Sequence, residues 1–567
     1  MDFRSVEKVG NPICYIAISI ILSVLVYGIY DRNSITAVIL IGTYFIYLLF
    51  DKGKEFTFLM SIFFIIGIVI NINYYNIIIA DKFYDEIRIV ETKSYYTIGE
   101  YKGRRFYVQS DASNIKLGDK LFIKGIFEEK LDKEKGIIGS IEIIKSKKLN
   151  RGLTGKLYDT REEIYKKLED NLGKRKAGLV SSLAFGYSDY LDGEDKEDMR
   201  SFGIIHVISV SGLHVALIFS ILSKFFNKKL SILGAILYVV FTGAPFSSIR
   251  SIIMIICLSS AFSVRKNYNP LASLSLSALI ITLLKPYAPF QLGFILSFLA
   301  TFGIIIFSSR FNNKFYKLPK YLRETVGISL GAQIFTLPVM MITFKEISIS
   351  FLIGNLLIVP ILNLIIILGN ISLIAFMYEP LFDFISFILI KIIYFLDRCM
   401  DLIYSIGSAT IIANKGMVFI YCISMISMYF IYKGYRKFVF LPIIAAIVVM
   451  IQIYSPVLKV DYLKEGGLLI SYKGERTVIT NKRNIDMAKL KQMTLSREGI
   501  REARKIFLPN GANIVAYNKD FILNLGKKEY LLRLNNRGEI DKKCDIINFI
   551  EEENVGFYIV DDRIILY

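Results

Sequence analysis

The only two histidines of the 567-residue chain lie in one apolar stretch, IIHVISVSGLHVAL, at residues 204–217. A polar side chain at membrane depth is costly, so His206 and His214 are expected to face a partner, a cavity or a transported substrate. On a continuous helix the two rings would be about 12 Å apart along the axis, too far to share one metal ion. They could equally be satisfied by polar groups of a neighbouring helix.

Ser211 and His214 are three residues apart, a spacing that permits a hydrogen bond between them. A serine hydrolase would also need an oxyanion hole and an orienting third group, and the sequence shows neither. Gly212 allows either a close backbone approach or a break in the helix, and broken helices at membrane depth usually line a cavity.

Three further polar residues interrupt apolar runs. Arg250 follows a predicted chain reversal in FTGAPFSSIRSIIM, where its guanidinium could bind a phosphate or extend to the membrane interface. Gln333 and Asn355 each lie five residues before a proline, Pro338 and Pro360, and an amide with a helix breaker inside an apolar run is typical of broken helices. The sequence predicts one polar path through the membrane, lined by His206, Ser211, Gly212, His214, Arg250, Gln333 and Asn355.

Composition places these residues in a multi-pass membrane protein, since 54% of the chain is hydrophobic and 21% is charged. Residues 1–79 contain apolar runs near 12–29, 35–50 and 57–72, and the first run lacks a cleavage pattern, so it is expected to be retained. A second transmembrane domain is predicted at 203–455. The net charge of +19 fits basic cytoplasmic loops and also a polyanionic partner. The five cysteines show no disulfide or metal-site spacing.

Three segments have a soluble character. Residues 80–148 consist of short β-type runs and predict a small five-stranded barrel, residues 149–202 are a linker with an amphipathic helix at 153–172, and residues 456–567 predict a β-rich domain with a polar helix near 486–504. In the barrel, EYKGRRFYVQ interleaves cations with aromatics, as a single-stranded DNA site requires, although a hairpin with a solvated basic turn has the same pattern. The predicted DNA-binding residues are Tyr101, Lys102, Arg104, Arg105, Phe106 and Tyr107.

Basic clusters at 224–229, 265–266, 310–323 and 433–437 indicate the cytoplasmic loops. With the N-terminus in the cytoplasm, the barrel and the C-terminal domain are expected outside. The number of crossings between 378 and 416 is the least defined, because a helix there either spans the membrane or lies in its interface.

Four segments together resemble the ComEC family, the membrane channel proteins of bacterial natural transformation. They cover residues 183–360 in order: LAFGYSDYLDGEDKEDMRSFGIIHVISVSGLHVALI, LYVVFTGAPFSSIRSIIM, NPLASLSLSALIITLLKPYAPFQLGFILSFLATFGI and GAQIFTLPVMMITFKEISISFLIGNLLIVP. The resemblance implies a polytopic α-helical membrane protein with an inserted extracellular, OB-like β-barrel and a small C-terminal β-rich soluble domain. One departure is Gln291, where the family often has aspartate.

The same resemblance implies that single-stranded DNA crosses the lipid bilayer through the second transmembrane domain, after delivery by a DNA receptor outside. The chain has no nucleotide-binding loop, so a separate ATP-driven motor inside is expected, and a homo-oligomer is left open. Two other classes of protein also remain open. One is a small-solute transporter, which would be expected to show repeated halves, and the other is a membrane hydrolase using Ser211 and His214.

The C-terminal domain departs most from the family. Its opening, VLKVDYLKEGGLLISYKGERTVITN, resembles a degenerate metallo-β-lactamase-like domain, which in other members would hold two metal ions for DNA cleavage. Residues 456–567 contain no histidine and have about half the length that such a domain needs. No metal, no other cofactor and no enzymatic activity are therefore expected.

Overall fold

The structure is a computed structural model that describes residues 10–77, 79–93, 96–109, 115–407, 410–463, 466–482, 485–502, 504–509, 511–517, 520–526, 528–534, 545–549, 556–560 and 563–567. The chain divides into two compact units, Met1–Thr336 with Ser348–Ala409, and Leu337–Ile347 with Thr410–Tyr567.

Three long apolar helices begin the first unit: α1 (Pro12–Ile29), α2 (Ser34–Lys52) and α3 (Lys54–Tyr75). The Asn33 side chain caps α2 by accepting the backbone N–H of Thr36 at 2.9 Å. Gly67 lets α3 pack closely on α1, because a Cβ there would lie 3.0 Å from the Cβ of Ser23. All three apolar runs predicted within residues 1–79 are helical.

The linker and the second transmembrane domain are helices joined by short turns. Their bounds are α4 (Leu153–Leu172), α5 (Lys174–Phe185), α6 (Gly193–Ser201), a 3-10 turn at Ile205–Val207, α7 (Gly212–Phe225), α8 (Lys228–Phe241), α9 (Phe246–Ser263), α10 (Pro270–Leu284), a 3-10 turn at Ala288–Phe290, α11 (Leu292–Lys314), α12 (Lys320–Thr343), α13 (Phe351–Ile353), a π-helical segment at Gly354–Ile358, α14 (Val359–Ala375), α15 (Glu379–Gly407), α16 (Lys415–Tyr432), a 3-10 segment at Arg436–Phe440 and α17 (Leu441–Ile453). Across the described residues, nine helical stretches are long and apolar enough to cross a membrane.

Helix α15 differs from those nine, because charged residues interrupt its apolar sequence while its buried residues occupy one face. Leu389, Ile393 and Leu396 are buried in a core shared with α4, α5 and α14, whereas Lys391 and Arg398 are exposed. An amphipathic helix of this kind suits a membrane interface as well as a protein surface. The amphipathic helix predicted at 153–172 is present as α4, which packs in the same core.

The segment between α3 and α4 is a closed barrel. Its strands are β1 (Lys82–Lys93), β2 (Tyr96–Tyr101), β3 (Arg104–Gln109), β4 (Lys120–Asp132) and β5 (Ile137–Lys148), in the order β1-β2-β3-β5-β4. Neighbouring strands are antiparallel except β3 and β5, which are parallel. Lys102 and Gly103 both have positive φ and join β2 to β3 in a tight turn. Ile87, Phe106 and Ile141 fill the interior, so the five-stranded barrel is confirmed.

The second unit ends in a β-rich domain. The remaining strands are β6 (Glu346–Ser348), β7 (Thr410–Ile412), β8 (Leu458–Leu463), β9 (Gly467–Tyr472), β10 (Glu475–Thr480), β11 (Glu498–Arg501), β12 (Lys505–Phe507), β13 (Asn513–Tyr517), β14 (Asp520–Leu525), β15 (Lys528–Arg533), β16 (Asp545–Asn548), β17 (Gly556–Val560) and β18 (Arg563–Leu566), and α18 spans Met487–Thr494. Beside a small β6-β7 pair, the strand orders are β11-β10-β9-β8-β17-β18 and β12-β13-β14-β15-β16. Apolar residues of these two larger sheets share one core.

The polar helix expected near 486–504 is shorter than predicted. It ends because Leu495 adopts a left-handed conformation, and residues 498–501 then pair with β10 as a strand. Cys544 and the acidic residues at 551–553 and 561–562, whose spacing predicts no metal site, lie outside the described residues.

Candidate functional site

The chain break before α7 places polar groups at the start of a helix. The backbone N–H of Ser211 donates to Nδ1 of His214 at 3.1 Å, and the Ser211 hydroxyl lies 3.0 Å from the same nitrogen. Nδ1 of the neutral ring is therefore the acceptor, and Nε2 carries the hydrogen. His214 is fully buried, and within the part of the chain that the structure describes its Nε2 meets no acceptor at hydrogen-bond geometry. The predicted spacing does bring Ser211 and His214 together, as a reciprocal helix cap.

This cap is a poor catalytic dyad. A general base must offer its lone pair to the serine hydroxyl, whereas Nδ1 of His214 is already engaged by the backbone N–H of Ser211. Among the described residues, no carboxylate hydrogen-bonds the ring to orient it. The geometry therefore favours a structural or path-lining role over hydrolysis.

Arg250 lies on the second turn of α9 and is 9% exposed. Its Nε donates to Ser297 at 2.9 Å, Nη1 donates to the hydroxyl of Thr301, and Nη2 lies 3.4 Å from the hydroxyl of Ser251. These partners are neutral, and within the described part of the chain Arg250 makes no ion pair. A buried charge without a counter-ion retains a desolvation penalty of several kcal/mol. The arginine site is therefore suited to binding an anion.

Gly212, the first residue of α7, allows the helix to begin beside Arg250. A Cβ at Gly212 would lie 2.6 Å from Nη2 of Arg250 and closer still to a serine hydroxyl. Ser247 and Ser248 donate to the carbonyl of Val210 at 2.8 and 3.3 Å, which joins the starts of α7 and α9. Helix N-termini carry partial positive charge, so both helix ends reinforce the preference for an anion near the guanidinium.

His206 lies in the 3-10 turn before this break. His206 is exposed, whereas His214 is buried. It is also within electrostatic range of His214. The assumption of a continuous helix between the two histidines is wrong, because residues 208–211 leave helical geometry.

Asn355 and Gln333 occupy two different places in the fold. Asn355 is half-buried in the π-helical segment, whose Gly354 packs against the backbone carbonyl of Phe202, close to the turn that carries His206. Gln333 lies on α12 with its side-chain oxygen buried and unpartnered. Among the described residues, no hydrogen bond or ring contact joins Gln333 to the other predicted path residues.

A groove of about 1000 Å³ opens where the barrel meets the loop between α1 and α2. Lys135 Nζ lies 4.6 Å and 5.4 Å from the ring centroids of Tyr96 and Tyr107, and these rings are 5.9 Å apart. Three cations of the groove pair with its three acidic residues, whereas Lys93 and Lys130 make no ion pair among the described residues. The groove thus combines surplus positive charge with stackable rings, the chemistry that binds a single strand.

Of the six predicted DNA-binding residues, only Tyr107 lines this groove, and its hydroxyl donates to Asp132 at 2.9 Å. Tyr101 and Lys102 line a separate pocket of about 270 Å³ at the β2–β3 turn. There, Tyr101 donates to Asp85 at 2.7 Å, and Lys102 Nζ lies 4.9 Å from the centroid of the Tyr101 ring.

The other three do not form a surface with these residues. Phe106 is fully buried in the barrel interior, so it cannot stack a base there. Arg104 donates to the carbonyls of Tyr74 and Asn73 at 2.9 and 2.6 Å and so fastens the barrel to the end of α3. Arg105 points to the membrane helices, with its guanidinium 4.8 Å from the Tyr287 ring centroid.

Sequence reasoning missed most of the groove. Lys93, Tyr96, Lys130 and Lys135 come from three strands and a turn, and only the closed barrel brings them together. Alternation along β3 could have separated Phe106, which points inward, from Arg105 and Tyr107, which point outward. No metal site is visible in the described ranges, because they contain no group of three or more His, Cys, Asp or Glu side chains that could hold an ion.

Comparison with known proteins supplies independent information. A family model described as competence protein matches residues 183–437. The chain is 29% identical over 226 residues to ComE operon protein 3 of Bacillus subtilis, covering 38% of this chain and 29% of that protein. It is 22% identical over 215 residues to Recombination protein 2 of Haemophilus influenzae, covering 34% of this chain and 27% of that protein. An uncharacterised protein of Mycoplasma genitalium is 31% identical over 140 residues, with 24% of this chain and 35% of that protein covered.

No solved structure matches the chain. Its matched regions span about a third of the length of these curated relatives. The apolar helices together with the matched domain define a multi-pass membrane protein of the competence class. Residues 183–437 are thus similar to the ComEC family, which confirms the resemblance found in the sequence.

Proposed function

We propose that this protein passes single-stranded DNA across the cytoplasmic membrane during natural transformation. The observation that carries the proposal is Arg250, a buried guanidinium held by hydroxyls and without a counter-ion among the described residues. A phosphate of a passing strand would supply the missing negative charge in a two-pronged geometry. Membership of the competence family supports DNA as the source of that phosphate.

The barrel is proposed to receive the strand outside the cell. Its strand order and its groove lined by Tyr96, Tyr107 and lysines support an OB-like binding role. The extracellular placement follows from basic loops such as 310–323, which are expected in the cytoplasm. In the proposed arrangement, a separate receptor delivers DNA to the barrel, and a separate ATP-driven motor acts inside.

The C-terminal domain is proposed to have no nuclease activity. A two-metal nuclease needs several imidazole and carboxylate ligands that converge on ions about 3.5–4 Å apart. Residues 456–567 contain no histidine. The single strand would therefore come from a different enzyme.

The primary test is uptake of labelled DNA by cells of a transformable host with and without this gene. Loss of internalised DNA without the gene, and its return on complementation, is the expected result. Unchanged internalisation would refute the proposal. A competition experiment tests the alternative of a small-solute transporter. If the protein transports small anions, inorganic phosphate and mononucleotides should inhibit uptake of labelled DNA as strongly as unlabelled DNA does.

Arg250→Ala tests the carrying observation. The substitution should reduce DNA passage by roughly tenfold or more, because a charge-assisted contact contributes about 1.5–3 kcal/mol, while protein abundance changes little. Arg265→Ala is the matched control, since Arg265 is exposed at the other end of α9. Equal loss of passage and abundance in the Arg250 variant would indicate a structural role instead.

A further inference from the structure

A series of contacts between cations and aromatic rings connects the barrel groove with Arg250. Arg105 accompanies Tyr107 on the outer face of β3 and donates to the carbonyl of Lys135 at 3.3 Å, at the edge of the groove. The Arg105 guanidinium lies 4.8 Å from the centroid of Tyr287, and Tyr287 lies 6.5 Å from Phe246 at the start of α9. Lys285 Nζ is 5.5 Å from the centroid of the Phe246 ring.

The series continues into the membrane domain without a gap. The ring centroids of Phe246 and Phe294 are 6.2 Å apart, and those of Phe294 and Phe298 are 4.2 Å apart. The guanidinium of Arg250 lies 6.0 Å from the centroid of the Phe298 ring. Each of these spacings is within the range at which rings or cations interact directly. The contacts therefore link the groove to the buried arginine through side chains of β3, α9, α11 and the segment 285–287.

Lys285 distinguishes this series from an ordinary apolar core. It is exposed, although it lies beside the Phe246 ring. It makes no ion pair with a carboxylate in the described ranges, and Arg105, Glu100 and Arg88 lie within electrostatic range of it. Glu100 pairs with Arg88 and Glu91 with Arg105, so Lys285 has no ion-pair partner of its own among the described residues. Phe246 beside it is half-buried and retains accessible ring surface.

We infer that Lys285 and Phe246 form a binding site for one nucleotide of a single strand, between the barrel groove and Arg250. The phosphate contacts the ammonium of Lys285, and the base stacks on the ring of Phe246. This inference rests on the proposed function, because it names an intermediate contact on the same path. The site is sequence-tolerant, since every base has a face that can stack and every nucleotide carries the same phosphate.

Photo-crosslinking on the full-length protein tests the site without any substitution. Protein in proteoliposomes is mixed with a bromodeoxyuridine-containing oligothymidylate and irradiated, and the crosslinked peptides are mapped. Crosslinks to Phe246 are expected, because its ring is partly accessible whereas that of Tyr287 is buried. If the strand binds but crosslinks only outside residues 285–298 and α9, the inference is wrong while the proposed function stands. If the wild-type protein neither binds nor passes the strand, the proposed function fails and the inference fails with it.

Variants then separate stacking from charge. Phe246→Leu should weaken binding of oligothymidylate by about fivefold or more, yet leave an abasic oligonucleotide unaffected, whereas Lys285→Ala should weaken both. Phe246→Tyr, which keeps a ring, should restore oligothymidylate binding, and this rescue shows that a loss with leucine is not misfolding. Equal effects of Phe246→Leu on the two strands would overturn the stacking role.

The same helix offers a matched control. Lys228 Nζ lies 5.1 Å from the ring centroid of Phe262, near the opposite end of α9, so this pair has the same chemistry away from the path. Lys228→Ala and Phe262→Leu should leave binding of both strands unchanged. A loss as large as that of the Lys285 and Phe246 variants would show that any cation and ring on the protein suffices, and would overturn the inference.

Discussion

Replacing Gly212 with alanine tests whether the close approach between α7 and Arg250 is needed for function. The added Cβ would lie 2.6 Å from Nη2 of Arg250, about 0.8 Å closer than the 3.4 Å at which ordinary van der Waals contact begins. The guanidinium cannot move away without weakening its hydrogen bonds to Ser297 and Thr301. Alanine favours a helix over glycine by about 0.5–1 kcal/mol, so a loss must come from the clash.

The expected magnitude follows from two costs. Extra volume in a packed site typically costs about 1–3 kcal/mol. A displaced guanidinium that loses one charge-assisted contact binds an anion less well by about 1.5–3 kcal/mol, which corresponds to roughly tenfold or more in affinity. DNA passage should therefore fall by about tenfold or more, while the protein still inserts and its melting temperature drops only modestly.

The assay measures entry of a fluorescent single strand into proteoliposomes, together with thermal unfolding in detergent. Gly293→Ala is the matched control: Gly293 is the second residue of α11, and a Cβ there would meet nothing within 4 Å. This control should pass DNA at the wild-type rate. Wild-type passage and wild-type stability in the Gly212 variant would refute the claim that α7 must begin against Arg250.

Three further predictions concern other parts of the chain. Burial raises the pKa of Asp119, but the backbone N–H of Lys116 and the guanidinium of Arg151 outweigh it, so the pKa lies below its ordinary 3.8. Asp119→Asn should therefore lower the melting temperature at neutral pH, and the difference from wild type should begin to shrink near pH 4 and be lost once the pH is below the folded-state pKa of Asp119. In a cysteine-free background, a cysteine at Lys102 should react with an impermeant reagent added outside and one at Lys317 should not, and the reverse pattern would invert the proposed topology. The purified protein should leave single- and double-stranded DNA intact with Mg²⁺, Mn²⁺ or Zn²⁺, and degradation abolished by changing one acidic residue would contradict this.

Elements dominated by local sequence could be predicted closely. The apolar runs expected at 12–29, 35–50 and 57–72 correspond to α1, α2 and α3, because hydrophobic length alone identifies such helices. The barrel followed from alternating residues and turn signals. The polar helix near 486–504 was predicted too long, because the left-handed Leu495 and the pairing of residues 498–501 with β10 depend on tertiary context.

The candidate site was only partly predictable, because distant segments complete it. Ser211 and His214 meet as their spacing indicates, since the contact is local. Arg104 looked like a free cation in the sequence, but it binds the carbonyls of Asn73 and Tyr74, some thirty residues earlier in the chain. No sequence pattern indicates that these carbonyls lie beside β3. For the same reason, Lys285 and Phe246 have no joint signature in the sequence.

The extent of the binding chemistry favours a polymer over a small solute. A small anion would need only Arg250 and the helix ends beside it. The structure instead repeats one combination, a cation next to a partly accessible aromatic ring, at Lys135 with Tyr107 and at Lys285 with Phe246. Repetition of this kind matches a chain in which phosphate and base recur at every unit, because each repeat can hold the next nucleotide as the previous one moves on. A small solute gains nothing from contacts that it cannot occupy at the same time.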